Sequence, residues 1–279
     1  MLSVGSIMES YFAPSLFLNH GGGPLPVLGE KNNIQIANAL RNVPNLLDLS
    51  KLKAIILVTA HRQEDVVTIS SGQRHSLLYD YYNFPPESYE LKYDAPGDPL
   101  LAGRLHSAFK NANIPSQLDE KRGWDHGVFI PMLLINPSAN IPIVQVSILK
   151  NQNAIDHYNI GKVLYEFRKE GIAVFGSGLS YHNMREFKKT LLSSSEIDGI
   201  VVNEKFDRFL NDVCTGKLDV ETILTWDTVP QARDAHPLGD ADHLMPLIVN
   251  IGAAGPKPGR NIFSSIFLQK FKLSGFIWD

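Results

Sequence analysis

Five histidines of this chain each lie at the end of, or just beyond, an apolar segment: His20, His61, His126, His182 and His243. Their neighbours are small or polar residues, such as the three glycines that follow the first of them. Neutral imidazole binds divalent metals, and histidine also transfers protons near neutral pH. Five histidines in such positions therefore indicate a metal site together with its acid–base residues.

Other histidines have a different setting. His106 and His157 lie in segments with amphipathic helical periodicity, and we expect them to be structural. His75 lies in a loop that could border a pocket. The sequence lacks the spacings HExxH and CxxC, so no sequence-local zinc motif identifies the ligands.

One serine offers a different chemistry. Ser177 stands between two glycines, as the nucleophile of a Ser-His-Asp hydrolase does. The residue two positions before it is Phe175, however, whereas the nucleophile elbow Gly-x-Ser-x-Gly has glycine there. A serine hydrolase is therefore the weaker hypothesis.

Short apolar runs rich in β-branched residues predict buried strands at residues 15–18, 54–59, 141–148 and 172–175. Apolar residues at helical spacing predict amphipathic helices around residues 101–109, 160–167 and 202–213. Strands that alternate with helices predict an α/β fold, in which helices flank a central mixed or mostly parallel sheet in three layers.

The predicted strands also suggest where the chemistry lies. His20 and His61 directly follow two of them, and His182 follows a third after a short loop. In open α/β sheets, ligands bind beyond the carboxyl ends of the strands. The stretch 81–99, rich in tyrosine and proline, is either an ordered loop that lines this pocket with aromatic rings or a plain surface connection.

Composition limits the class of protein. The 279 residues, 44% of them apolar, suffice for one large domain, and since no linker stands out we expect a single domain over residues 1–279. With 26 basic and 29 acidic residues, the net charge of −3 lacks the basic excess of a nucleic-acid binder. No apolar run approaches the roughly 20 residues that span a bilayer.

The same composition bears on the cellular compartment. Residues 1–8 lack the basic and apolar regions of a signal peptide. The single cysteine, Cys214, excludes an internal disulfide and suits a reducing compartment. We therefore expect a cytoplasmic protein.

The chain resembles the class III extradiol ring-cleavage dioxygenases, the LigB-type superfamily, and within it the branch of 4,5-DOPA dioxygenase-like proteins. The resemblance covers nearly the whole chain and includes NHGG at 19–22, GWDHG at 123–127 and SYHNMREF at 180–187. Further matching segments are residues 55–61, 91–99, 141–148, 235–237, 242–247 and 252–255. In combination these motifs are highly specific.

The resemblance implies a role for each of the five histidines. His20, His61 and His243 match metal ligands. His182 matches the acid–base histidine, which in this family can also lie close to the metal. His126 matches a second pocket histidine near the oxygen or the substrate.

The implied reaction cleaves the ring of a catechol, possibly DOPA-like, with O2 to give a semialdehyde, and Fe(II) is the expected cofactor. Three protein ligands leave the open positions that such a reaction needs. Three histidines are also typical of catalytic zinc, which has no redox chemistry. Two alternatives therefore stay open: a zinc hydrolase, or a non-catalytic peptide-binding member of the same superfamily.

Some positions depart from the family pattern. The residue before the third ligand is Asp242 rather than glutamate, and the His-Gly-Ser-Pro of the family is His-Gly-Gly-Gly at 20–23. Tyr181 and Met184 replace smaller or different apolar residues around the acid–base histidine. These departures concern substrate preference more than metal binding.

Overall fold

The computed structural model describes residues 11–193 and 199–279. Residues 1–8, where we expect no signal peptide, lie outside the described residues. The described part contains one sheet of eight strands: β1 (Ser15–Asn19), β2 (Ala54–Glu64), β3 (Val67–Ser70), β4 (Ser116–Asp119), β5 (Ile143–Leu149), β6 (Ile172–Gly178), β7 (Arg260–Phe267) and β8 (Phe271–Trp278).

The sheet is mixed, with the order β4-β3-β5-β2-β6-β1-β8-β7. Its centre, β5-β2-β6-β1, is parallel, whereas β8 pairs antiparallel with β1 and β3 pairs antiparallel with β5. The prediction of a single α/β domain with a mixed sheet flanked by helices is thus confirmed. That this domain spans all of residues 1–279 stays a prediction.

Helices connect the strands: α1 (Leu25–Leu28), α2 (Ile34–Leu46), α3 (Pro99–Asn111), α4 (His126–Ile135), α5 (Ala154–Arg168), α6 (Met184–Leu192), α7 (Glu204–Cys214), α8 (Ala232–Ala235) and α9 (Met245–Ala254). Both α4 and α9 are apolar around nearly their whole circumference, and almost all their residues are buried. A helix of this composition belongs in the interior, where it packs on several sides.

The side chains of β6 show how α4 and α9 cover opposite faces of the sheet. A Cβ added to Gly176 would overlap the side chain of Asn250 in α9, and one added to Gly178 would overlap the carbonyl oxygen of His243. Successive strand residues face opposite sides. Ser177 accordingly points the other way and donates a hydrogen bond to the carbonyl oxygen of Gly127 in α4, at 2.6 Å.

The four predicted strands are present, but the expected end of the second is wrong. We expected His61 to follow the strand, whereas β2 continues to Glu64. The pairing of β2 with β5 shifts between Thr59 and Gln63, so that His61 lies on an irregularity inside the strand. Such bulges redirect a side chain, and they are frequent next to active sites.

The strands β3, β4, β7 and β8 were not predicted. Two of them have only four residues, and β7 is an edge strand with several exposed positions. Glycine and lysine interrupt the apolar residues of β8. The strands β3, β4 and β8 pair with segments distant in sequence, whereas β7 pairs only with the adjacent β8. Local propensity in a sheet is weak and depends on such context.

A candidate metal centre at the carboxyl ends of the strands

The structure brings all five predicted histidines together at the carboxyl ends of β1, β2 and β6. His20 follows β1 directly, and His61 lies on the irregular part of β2. His126 is the first residue of α4, and His182 lies between β6 and α6. His243 precedes α9 by two residues.

The ring positions define one cluster. The ring centroid of His61 lies 4.9 Å from those of both His20 and His243, and 3.9 Å from that of His126. The rings of His182 and His243 stack at 3.5 Å with an interplanar angle of 12°. Residues separated by up to 223 positions in sequence therefore share one site.

Hydrogen bonds fix the tautomer of His20. The hydroxyl proton of Ser177 goes to the carbonyl oxygen of Gly127, so its oxygen must accept from Nδ1 of His20, 3.0 Å away. Nε2 of His20 therefore carries a lone pair. A partner that holds the other ring nitrogen in this way is the usual support of a metal-binding histidine.

The Nε2 atoms of His20 and His61 lie 3.2 Å apart. Two neutral nitrogens approach so closely only when a proton or a cation lies between them. Two nitrogens bound at about 2.0–2.1 Å to one ion, with a near-tetrahedral angle, would be about 3.3–3.4 Å apart. The spacing of the two histidines therefore fits a shared divalent metal.

The carboxylate of Asp80 orients His126 through two hydrogen bonds. Its Oδ1 accepts hydrogen bonds from the backbone N–H of His126 at 2.9 Å and from Nδ1 of the same residue at 2.8 Å. Its Oδ2 lies 3.6 Å from Nδ1 of His61. Burial acts to raise the pKa of this carboxyl, but the hydrogen bond and charge of His126 lower it to about 2. Asp80 is thus an anion that orients one histidine and faces a second.

A buried polar network holds the backbone of His61. The carboxylate of Asp125 accepts from Thr59 Oγ1 at 3.0 Å, from Gln145 Nε2 at 2.6 Å and from Arg122 at 3.0 Å. Arg122 also donates to the carbonyl oxygen of His61 at 3.1 Å, and the hydroxyl oxygen of Thr59 accepts from the N–H of His61 at 3.2 Å. Asp125 also occupies the N-cap position of α4, but its side chain makes no capping bond.

Two buried ring nitrogens of the cluster have no hydrogen-bond partner among the described residues: Nδ1 of His182 and Nδ1 of His243. Oδ2 of Asp242 lies 3.2 Å from the latter, without the geometry of a hydrogen bond. Buried polar atoms nearly always have partners, so an unpaired one requires an explanation. A bound ion or substrate would supply the missing contact.

The potential ligand atoms fall into two sets. Those of His20, His61 and His126 lie within 4.8 Å of one another, and so do those of His182, Asp242 and His243. The predicted ligands His20, His61 and His243 therefore combine members of both sets, which adjoin at the His61–His243 ring contact. This donor set of neutral imidazoles fits a divalent transition metal.

Burial keeps His20, His61 and His182 neutral. Burial, and then the neighbouring His61, lowers the pKa of His20 well below its usual value. Burial followed by the charge of His126 lowers the pKa of His61 to about 4. The pKa of His182 is also lowered by burial, against the opposing effect of Asp242. Neutral imidazole is the form that binds metals and accepts protons.

A cavity of about 500 Å³ opens above the histidines. Its walls are mostly apolar: Gly21, Gly22, Gly23, Leu25, Ile36, Tyr81, Tyr82, Phe84, Leu179, Met184, Phe187, Leu191, Phe267 and Leu268. Of the stretch 81–99, Tyr81, Tyr82 and Phe84 line the cavity, so that the pocket-lining alternative holds for this part of it. A pocket of this size with a few convergent polar groups is typical of a small-molecule site.

The other sequence candidates lie elsewhere. Ser177 is fully buried beneath His20, where its hydroxyl is bound on both sides, so it is not placed to attack a substrate. His106 and His157 lie in helices as expected, and His75 stacks on Trp124 without lining the cavity.

Sequence reasoning missed Asp80, Ser177 as a support of His20, and the role of Arg122. Each acts through a residue at least 40 positions away, so no local pattern could identify it. Asp80 stands beside the tyrosine-rich stretch that we linked to the pocket, which was the one available signal.

Several known proteins are similar to this chain. Residues 16–270 match the family model described as the catalytic LigB subunit of aromatic ring-opening dioxygenase. A protein named dioxygenase tasH, from Hapsidospora irregularis, is 40% identical over 87% of this chain and 78% of its own length. A 4,5-DOPA dioxygenase extradiol of Portulaca grandiflora is 32% identical over 89% of each chain.

A solved structure is similar as well. The crystal structure of an uncharacterized protein from Escherichia coli K12 superimposes with a TM-score of 0.76 at 26% identity, over 96% of this chain and all of that one. Among the helices of residues 11–193 and 199–279, none is long and apolar enough to cross a bilayer.

Proposed function

Because the chain belongs to the LigB family of aromatic ring-opening dioxygenases, we propose that it is an Fe(II)-dependent extradiol enzyme. It would open the ring of a catechol with O2 to give a semialdehyde. The observation that carries this proposal is the cluster of five histidines beneath an apolar cavity. Burial lowers the pKa of four of them: His20, His61, His182 and His243.

The proposed metal ligands are His20, His61 and His243. The lone pair on Nε2 of His20, the 3.2 Å spacing to Nε2 of His61 and the unpaired Nδ1 of His243 support this set. When bound, Fe(II) would supply the redox chemistry through which catechol and dioxygen react, a chemistry that Zn(II) lacks.

His182 is the proposed general base and acid. Its imidazole lines the cavity, its Nδ1 has no partner among the described residues, and its lowered pKa keeps it neutral at pH 7. It would accept the proton of one catechol hydroxyl and return a proton to an oxygen of the opening ring. The stacked ring of His243 fixes the plane of this imidazole.

His126 is proposed to orient substrate or oxygen. Nδ1 of His126 donates a hydrogen bond to Asp80, which leaves the lone pair of Nε2 available toward the cluster. The aromatic walls of Tyr81, Phe84 and Phe187 would stack on a catechol ring and exclude water from the reacting atoms.

The test is to load the metal-free protein with Fe(II) under anaerobic conditions and then to add oxygen with each of a panel of catechols. We expect oxygen consumption together with the visible absorbance of a yellow semialdehyde. Protein loaded with Zn(II) is the control and should consume no oxygen. The absence of uptake and of coloured product with every catechol would refute the proposal.

The two alternatives lack comparable support. The relatives that cover most of the chain are named dioxygenases, which favours a catalytic member of the family over a peptide-binding one. For a zinc hydrolase, the described side chains of the cavity offer few polar groups with which to recognise an ester or amide. Beyond the histidines these are Asp80, Asn33, Lys188 and the hydroxyls of Tyr81 and Tyr82.

A further inference from the structure

Helix α6 presents one complete face to the cavity. Met184, Phe187, Lys188 and Leu191 line it, at the spacing i, i+3, i+4 and i+7 that places residues on one side of a helix. The helix begins directly after Asn183, whose side chain accepts a hydrogen bond from the N–H of Glu186. This capping ties the start of the helix to the loop that carries His182.

Three of these four residues are apolar, and the fourth is a cation. Lys188 is the only lysine or arginine among the residues that line this cavity. It makes no hydrogen bond or ion pair with any residue of 11–193 or 199–279. The one carboxylate in the lining, that of Asp80, is already bound by His126. Among residues 11–193 and 199–279, no anion is thus paired with the positive charge at this wall of the cavity.

The next residue along the helix provides a contrast. Lys189 lies off this face, does not line the cavity, and has its Nζ 4.0 Å from a carboxylate oxygen of Glu186. The two adjacent lysines therefore have different surroundings. Lys189 lies near a protein carboxylate outside the cavity, whereas Lys188 lines the proposed substrate site.

The surroundings of Lys188 would strengthen its attraction for an anion. Lys188 is solvent-exposed, and Phe187, Leu191 and Phe267 are apolar neighbours in the lining. A ligand bound against these apolar residues would partly shield the ammonium from water and so strengthen the attraction. The helix as a whole carries three cations and one anion, a local charge of +2 on a chain whose net charge is −3. A charge of one sign at the mouth of a cleft attracts ligands of the opposite sign.

We propose that Lys188 is a specificity-determining residue that binds an anionic substituent, such as a carboxylate, on the ring side chain of the substrate. This inference rests on the proposed function. The catechol oxygens would lie over the histidines, and the side chain of the ring would extend along α6 toward Lys188. Substrates with a cationic substituent would be disfavoured.

The experiment compares three catechols that differ mainly in the charge of the 4-substituent: 3,4-dihydroxyphenylpropionate, 4-methylcatechol and dopamine. For the iron-loaded protein, we expect kcat/KM to be highest for the anionic compound. In Lys188→Met, kcat/KM for the anionic compound should fall about 10-fold or more, the usual effect of losing a charged hydrogen bond. The value for 4-methylcatechol should change less than about twofold.

Charge reversal sharpens the test, because Lys188→Glu should disfavour the anionic compound further and raise kcat/KM for dopamine. The matched control is Lys189→Met, which removes the same charge from the same helix and should leave all three values unchanged. Calorimetric titration of the anaerobic iron-loaded protein gives a readout independent of turnover. There the dissociation constant of the anionic compound should rise in Lys188→Met to the same extent.

The outcomes separate the two proposals. If the wild-type protein turns over none of the three catechols, the proposed function fails. If it is active but the ratio of anionic to neutral kcat/KM is the same in Lys188→Met as in the wild type, or falls equally in Lys189→Met, the assignment of Lys188 is overturned.

Discussion

At the amino ends of β1 and β6, the guanidinium of Arg168 donates to the carbonyl oxygens of Ala13, Ala253, Ala254 and Trp278, at 2.6–2.9 Å. At the carboxyl ends of the same strands, His182 and His243 each keep a buried nitrogen with no hydrogen-bond partner in the part of the chain that the structure describes.

Both regions are buried and polar. The guanidinium of Arg168 has carbonyl acceptors within the protein, whereas the histidine cluster contains nitrogens without a described hydrogen-bond partner. Arg168 binds the last carbonyls of α9 and the end of β8, groups that would otherwise lack donors in the interior. The histidines instead cost stability in the free protein, because a buried polar atom without a partner has lost water and gained nothing. Such a cost is typical of a site shaped for a ligand.

The largest expected effect is at the histidine cluster. His61→Ala removes a proposed ligand whose position inside β2 is fixed by backbone hydrogen bonds, so no neighbouring residue can replace it. We expect metal affinity to fall by more than the roughly 100-fold that follows loss of a supporting residue. Elemental analysis and oxygen uptake measure this effect. The control is His106→Ala, outside the cluster; equal metal content in both variants would contradict the assignment of His61.

At the other end of the sheet, Arg168→Met should unfold more easily without losing the site. Four carbonyls would lose their donor, and we expect the free energy of unfolding to fall by about 3 kcal/mol or more. Denaturant titration measures it. The matched control is Arg104→Met, because Arg104 forms an exposed pair with Glu170 and should contribute at most about 1 kcal/mol. If Arg168→Met remained folded but lost its metal, the claim that Arg168 supports stability and not the histidine site would be wrong.

A third variant distinguishes two kinds of residue inside the cluster. His182→Ala should retain the metal but lose turnover by about 100-fold or more, the effect expected for a general acid–base residue. Metal content and kcat are measured on the same preparation. If the metal is lost too, His182 is a ligand, and His126 becomes the next candidate for the base.

The smallest expected effect concerns a buried histidine with both ring nitrogens paired. In His157, Nε2 accepts from the N–H of Leu149 and Nδ1 donates to the carbonyl oxygen of Asn153. Burial lowers its pKa from 6.5 to about 4, with the hydrogen bond to Asn153 opposing. The unfolded chain therefore binds more protons in this range, and stability is lost as the pH falls from about 6.5 to about 4.

His157→Gln removes that proton uptake. In the metal-free protein, the free energy of unfolding of the variant should decline less steeply across this pH range, by at most the slope of one proton, about 1.4 kcal/mol per pH unit. Urea titrations at several pH values measure the slope. Identical slopes for the variant and the wild type would show that His157 does not titrate differently on unfolding.

Much of this architecture followed from local pattern. Apolar runs identified the four central parallel strands, and helical spacing identified α3, α5 and most of α7, because both periodicities are properties of short segments. The strands β3, β4 and β8 form by pairing with segments distant in sequence, so local pattern did not identify them. His61 shows the limit at a single residue: its segment was correctly assigned, but the irregularity that redirects it arises from pairing with β5.

The sequence by itself determined which residues can do chemistry and to which edge of the sheet they belong, since residues that follow parallel strands must lie at the carboxyl edge. It also determined the family, through motifs that cover nearly the whole chain. Tertiary structure alone decided how the site is held: Ser177 beneath His20, Asp80 behind His126, and Lys188 rather than Lys189 toward the cavity. These contacts depend on strand order and loop path, which bring together residues that no local pattern connects.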